Sequence, residues 1–145
     1  MLNDQLKVTG DVVVEITGPD GQIKDRREIK NLVVATGKTF IASRIVGTPT
    51  AMSHMAIGSN STAAATNDAA LGAELGRVAL SSSTSSGAVV TYVASFPAGT
   101  GTGAVVEAGV FNASSSGTML CRTVFAVVNK GADDAMSITW AITVS

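Results

Sequence analysis

The chain has 145 residues, 46% of them hydrophobic and only 14% charged, with a formal net charge of −1 at pH 7. That is enough chain to bury a real core, but its charge suits neither a phosphate backbone nor an anionic membrane, so no nucleic-acid or membrane partner is expected. No apolar run approaches the roughly 18 residues that span a bilayer, Met1 to Lys7 is polar with no apolar h-region behind it, so that no signal peptide is expected, and the single Cys121 fits synthesis in a reducing compartment.

Leu6 to Thr17 reads as a strand through Val8, Val12, Val14 and Ile16, interrupted by Gly10. Gly18-Pro19-Asp20-Gly21 is a turn, with proline fixing φ and glycine accepting the left-handed position. Gln22 to Lys30 returns as a second, highly charged arm. Residues 1–30 are therefore expected to form an N-terminal β-hairpin arm, kept soluble at a sheet edge by its charges. Lys24, Arg26, Arg27 and Glu28 are its candidates for gripping a neighbouring molecule through ion pairs. Of the ten Lys and Arg and 11 Asp and Glu, 13 lie at or before Arg44. The rest of the chain is covered mainly by Ala, Ser, Thr and Gly, which pack closely and lose little entropy when ordered. Such a surface suits burial against identical copies.

Lys38 to Val46 places Phe40, Ile41, Ile45 and Val46 at helical spacing, with Thr36 as N-cap and Gly47 as C-cap. This short helix is expected to lie over a sheet or cover an open barrel end. Thr36-Gly37-Lys38-Thr39 is no phosphate-binding loop, because Lys30 to Ala35 lacks the upstream glycine. Met52 to Ile57 alternates as a strand stopped by Gly58, and Ser59 to Thr66 is a loop. Asn67 or Asp68 is expected to cap one or two helical turns through Leu71, Glu74 and Leu75, ended by Gly76. Arg77 to Ser81 is extended again, so a long arch joins two strands.

Beyond it, Ser82 to Gly87 reads as a loop, and strands Ala88 to Phe96, Ala104 to Asn112, Thr118 to Val128 and Met136 to Val144 alternate with Gly- and Ser-rich turns. The expected fold is mainly β: an antiparallel β-sandwich or barrel of about eight strands, with one short helix and the N-terminal hairpin. Residues 31–145 make the sandwich, and the whole is one compact domain. In the last strand Met136, Ile138, Trp140, Ile142 and Val144 form the core face, and the Trp140 indole is expected to donate to a loop carbonyl. Thr118 to Val128 is apolar on both faces, so a second cover is expected for it, from the helix or from a neighbouring subunit.

Candidate chemistry is sparse. His54 lies in a strand and Ser53 is expected on the opposite face, so no nucleophile and base face each other. One His and one Cys cannot build a tetrahedral metal site, and Asp133-Asp134 sits in a turn where solvation accounts for it. Glu74 and Glu107 are the candidate carboxylate pair. Glu107, however, interrupts the apolar run Ala104 to Phe111, where a carboxylate needs a charged, hydrogen-bonding mate. Arg77 or Arg122 is that mate, and the ion pair is expected to fix the arch onto the sheet. No catalytic, cofactor-binding or metal-binding residue is expected, and the chain is not expected to be an enzyme.

Taken in order, NLVVATGKTFIASRI, SHMAIGSNSTAAATNDAALGAELGRVAL, TYVASFPAGTGTGAVVEAGVFNASSSGTMLCRTVF and NKGADDAMSITWAITV resemble a family of small virion proteins of tailed bacteriophages. The likeness runs from Asn31 to Val144. The strand ending Ile57-Gly58, then Leu71, Glu74 and Arg77, and later Glu107-Ala108-Gly109-Val110-Phe111-Asn112, is also similar to modules attached to tail fibres and baseplates. The resemblance implies a non-enzymatic β-rich subunit, made in the host cytoplasm and carried in many copies on the virion. One implied role is a capsid decoration or cement protein, a trimer bound to the major capsid protein over the joints between capsomers. The other is a tail-fibre or baseplate-associated module that binds a host receptor or another tail protein. Carbohydrate sites present exposed aromatics, yet aromatic residues make up only 4% here, and Trp140 belongs to a core pattern. That favours cement, as does the lack of a coiled-coil stalk.

Overall fold

Alternating β-branched and polar residues fold most of the chain into strands. The computed structural model describes residues 6–47 and 49–145; residues 1–5 of the expected hairpin arm lie outside them. Its elements are β1 (Val8–Thr17), β2 (Ile23–Lys30), β3 (Leu32–Val33), α1 (Ala35–Val46), β4 (His54–Gly58), β5 (Glu74–Ala79), β6 (Ser82–Ser86), β7 (Val89–Phe96), β8 (Gly103–Phe111), β9 (Met119–Lys130) and β10 (Ala135–Val144). The strands form two five-stranded sheets, ordered β2-β1-β10-β7-β6 (sheet I) and β3-β9-β8-β4-β5 (sheet II). Every pairing is antiparallel. The protein is thus a mainly β sandwich with one helix.

The core fills the space between the sheets. Val12, Val14 and Ile16 of β1, Met136, Ile138, Trp140 and Ile142 of β10, and Ala94 and Phe96 of β7 face Met55, Ile57, Val105, Ala108, Val110 and Phe125. The period-two pattern of β10 dictates this burial, except that Val144 is only partly covered. Trp140 is fully buried, but its Nε1 has no acceptor, contrary to the expected bond to a loop carbonyl. The register explains this: Trp140 sits mid-strand between Val12 and Tyr92. Ladder partners take the neighbouring carbonyls, and the loops lie beyond the strand ends.

Three other expectations change. The expected hairpin forms, β1 pairing β2, but it is built into the sandwich and does not stand out as an arm: β1 is an interior strand, paired with β10 from Val8↔Val144 to Thr17↔Ala135 and supplying three core side chains. Ser82 to Ser86, expected as a loop, is an edge strand on β7; such a strand needs only backbone bonds, so its serines carry no apolar pattern. Asn67 to Leu75 forms no helix. The Asp68 carboxylate is taken by the Ala65 amide and by Arg122 instead of helix amides.

Strand β9 bulges twice. Leu120 is an extra residue between the pairs Val110↔Cys121 and Phe111↔Met119, and Phe125 to Val127 stand opposite Val106 alone. A bulge re-aims the side chains on either side of it, so Leu120 and Cys121 both join the core. The first bulge is also where α1 docks. The helix starts one residue before the expected Thr36 cap, with Val34 as an N-cap that makes no side-chain bond; Thr36 Oγ1 instead donates to the Met119 carbonyl at 2.8 Å. Gly47 closes the helix by donating its amide to Ser43.

Gly37 sets the closeness of that docking, since a Cβ there would lie 1.9 Å from the Leu120 carbonyl oxygen. Glycine-to-alanine replacement ordinarily favours a helix by about 1 kcal/mol. Here Gly37→Ala is expected to destabilise by about 1–3 kcal/mol, because backbone must shift to admit the methyl. A lower Tm than wild type checks this sign; a higher one would show that α1 is free to move away from β9.

Candidate functional site

The outer face of sheet II is roofed by the arch of residues 59–73. One carboxylate holds the roof down. Glu107 is fully buried and Arg122 is 3% exposed. Oε1 of Glu107 accepts from Arg122 Nε at 3.1 Å and from the Gly72 amide at 2.9 Å. Its Oε2 accepts from the amides of Asn60 and Ala73, both at 2.9 Å. The two oxygens therefore meet an arginine and three backbone donors, all three donors from the arch.

Arg122 continues the network. Its Nη2 bonds Glu107 at 3.1 Å and the Thr62 carbonyl at 3.0 Å, and its Nη1 bonds Asp68 at 3.0 Å. The planar fork suits this sharing, because it reaches two carboxylates and arch carbonyls at once. Beneath the arch, Leu71 packs on Val34, Ala56, Phe111 and Met119. Close approach requires a glycine at position 58, where a Cβ would meet the Ala73 carbonyl and Glu107 Oε2, each at 2.5 Å. Within the chain, β9 is covered by this arch and, at its bulged start, by α1, as expected of the helix.

Of the two arginines proposed for Glu107, the structure brings Arg122 to it and places Arg77 elsewhere. Arg77 pairs with Glu74 at 2.7 Å, stacks 3.8 Å over the Phe111 ring and donates to the carbonyls of Ala113 and Ser116. Register accounts for the difference: Arg77 is level with Ala56 and Gly109, while Glu107 is level with Gly58. Glu74 and Glu107 thus serve separate clusters.

The hairpin charges are largely satisfied within the molecule. Lys24 bonds both oxygens of Asp134 at 3.0 Å. Arg27 pairs with Asp25 at 2.9 Å and reaches the carbonyls of Ala126 and Val127, which the second β9 bulge leaves unpaired. Arg26 lies between Glu15 and Glu28 on the outward face. Sequence reasoning missed the Asp134 cluster altogether. Buried Lys130 donates to the carbonyls of Pro97 and Asp134 at 2.9 and 2.7 Å, and burial pushes its pKa down while the Asp134 charge opposes that shift. The Gly131 amide and the Lys24 ammonium hold the Asp134 carboxyl below its usual range. A lysine placed three residues before an Asp-Asp turn was the available signal.

His54 differs from expectation in one respect. Ser53 Oγ lies 2.8 Å from His54 Nδ1. The Ser53 amide and carbonyl already bond Phe111 and Leu80 on either side, so this is a contact between sequence neighbours at the start of β4. Among the described residues no group of three or more His, Cys, Asp and Glu side chains is placed to hold a metal ion, and no helix is long and apolar enough to cross a membrane. Cys121 is a buried free thiol, and burial pushes its pKa up. The chain matches no protein-family model, no curated protein and no solved structure.

Breaking the buried pair is expected to strand a charge. Glu107→Gln and Arg122→Met should each cost roughly 3–5 kcal/mol, with the double mutant losing less than the sum; Arg77→Met should add independently to Glu107→Gln. Thermal unfolding of the double-mutant cycle decides, and additive losses for Arg122 reject the coupling.

Acid should loosen the hairpin tip. A carboxyl with a lowered folded pKa stabilises above its unfolded value of about 3.9 and loses that contribution as pH falls through the lower folded value. Asp134→Asn is therefore expected to flatten the acid limb of the Tm profile. An unchanged limb would show that Asp134 does not contribute to it.

Proposed function

We propose that the chain is a structural protein of a tailed-phage virion: a capsid decoration (cement) subunit that assembles with itself as a trimer and binds the major capsid protein. The observation that supports this reading is an asymmetry between the two sheets. Sheet II carries its own roof, whereas among the described residues nothing covers the outer face of sheet I. Rows such as Val13–Thr139–Val93 and Asp11–Ala141–Thr91 cross that face. From β10 to β6 it is made of Ala, Ser, Thr and Val, and the chain carries no Asp, Glu, Lys or Arg between Arg77 and Glu107. A half-buried, neutral, β-branched face buries against a copy of itself with little desolvation cost and little side-chain entropy to lose.

The tail-fibre or baseplate-associated alternative, holding a host polysaccharide, would call for exposed rings. Phe40 and Tyr92 are at least partly covered, and Phe96, Phe111, Phe125 and Trp140 are buried. No observation favours that alternative.

Sedimentation of the purified protein at micromolar concentration is expected to give a trimer. Lysine at Val13 and Thr139 should convert it to monomer with little change in Tm, and should lower its occupancy on particles. A wild-type monomer, or unchanged occupancy of the lysine variant, counts against the proposal.

A further inference from the structure

Among the described residues, the three most exposed large hydrophobic side chains lie on the segments at one end of the sandwich, before β1 and at the end of α1. Leu6, Ile45 and Val46 are 71%, 82% and 88% exposed. Ile45 follows Ile41 by one helical turn, so the two share a face of α1. Ile41 in turn lines an apolar cavity of about 210 Å³, together with Val8, Phe40, Tyr92, Ile142 and Val144. This hollow opens where β1 begins and β10 ends, between the sheets and under the helix. Leu6 and Val8 line an adjoining hollow with Lys7 and Lys38, and Val8 joins the two.

Among the described residues, the charged side chains that line this mouth are of one sign. Arg44 stands at the cavity, held by a 2.9 Å bond from Nη1 to the Pro49 carbonyl. Lys7 and Lys38 edge the adjoining hollow, and among the described residues no Asp or Glu side chain lines either one. A dry cavity of about 150 Å³ is enough to take up benzene, so this one has room for one large apolar side chain. An apolar hollow with a cationic rim selects its complement in both shape and charge.

We infer that this mouth is the docking site for a peptide segment of a partner protein, one that carries a large apolar side chain flanked by carboxylates. The side chain fills the cavity, Ile41 and Ile45 cover its stem, and Arg44, Lys38 and Lys7 receive the acids. A bilayer would instead favour a broad amphipathic face, whereas a hollow is what a side chain fills. The inference rests on the virion reading only for the partner's identity, the shell protein, and not for its chemistry.

Fluorescence anisotropy with the purified protein tests it, using a labelled hexapeptide of leucine and phenylalanine between pairs of glutamates. Saturable binding is expected, weakened at least about tenfold by Arg44→Glu and by Ile45→Ser. Both replace exposed side chains, so the unfolding midpoint should stay in place. Binding should vanish when lysines replace the glutamates or serines replace the apolar pair. Lack of saturation at millimolar peptide, equal binding of all three peptides, or indifference to both substitutions would overturn the inference, as would preference for phosphatidylglycerol vesicles. No particle is involved, so a negative result here leaves the virion proposal standing, and that proposal is read separately from occupancy.

Discussion

A buried carboxylate and a buried guanidinium decide how this chain arranges its surface. The arch over sheet II is short of apolar side chains; apart from Leu71, its residues offer little area to bury. Hydrophobic burial alone would leave such a segment loose. Glu107 changes this by presenting two acceptor oxygens where arch amides converge, and Arg122 pairs with that carboxylate while holding another part of the loop through Asp68. The pair costs desolvation, as buried pairs do. What it provides is one specific path for a loop that has few other reasons to choose one.

Much of this was legible in the residues, and the failures have common causes. The β10 pattern from Met136 to Ile142 reads directly as a core face, because no bulge interrupts it. Glu107 announced a partner by interrupting an apolar run. Which arginine it would meet depended on register, and register is a long-range property that local pattern does not carry. Strand β9 misled for a different reason: its first bulge lets Leu120 and Cys121 both join the core, so strict alternation assigns opposite faces to neighbours that share one. Edge strand β6 gave no signal at all, since five exposed serines and threonines need nothing from the core. The mouth of the sandwich stayed hidden because Val8, Phe40, Tyr92 and Ile142 come from four separate elements.

The charge distribution takes on a spatial meaning once the fold is known. Strand β2 and the neighbouring face of β1 hold most of the ion pairs, at one edge of sheet I, and the opposite edge at β6 is neutral. Across a single sheet the surface thus grades from charged and self-satisfied to bland. Bland surfaces lack the repulsive elements that keep copies apart. The paired charges of the hairpin act locally, tying β2 to β10's leading turn through Asp134 and to the β9 bulge through Arg27.

The pairing of β1 with β10 sets the order in which the chain can fold. Sheet II joins two units local in sequence, the β4–β5 arch and the β8–β9 hairpin, through the β4–β8 pairing. Sheet I cannot close until its second strand meets its most distant partner, and closure of so long a loop is slow. During that wait the β1–β2 hairpin shows Val12, Val14 and Ile16 to solvent with nothing behind them. The density of lysine, arginine and acid on β2 then acts as a gatekeeper, holding an unfinished sheet apart from its copies until the final strand arrives.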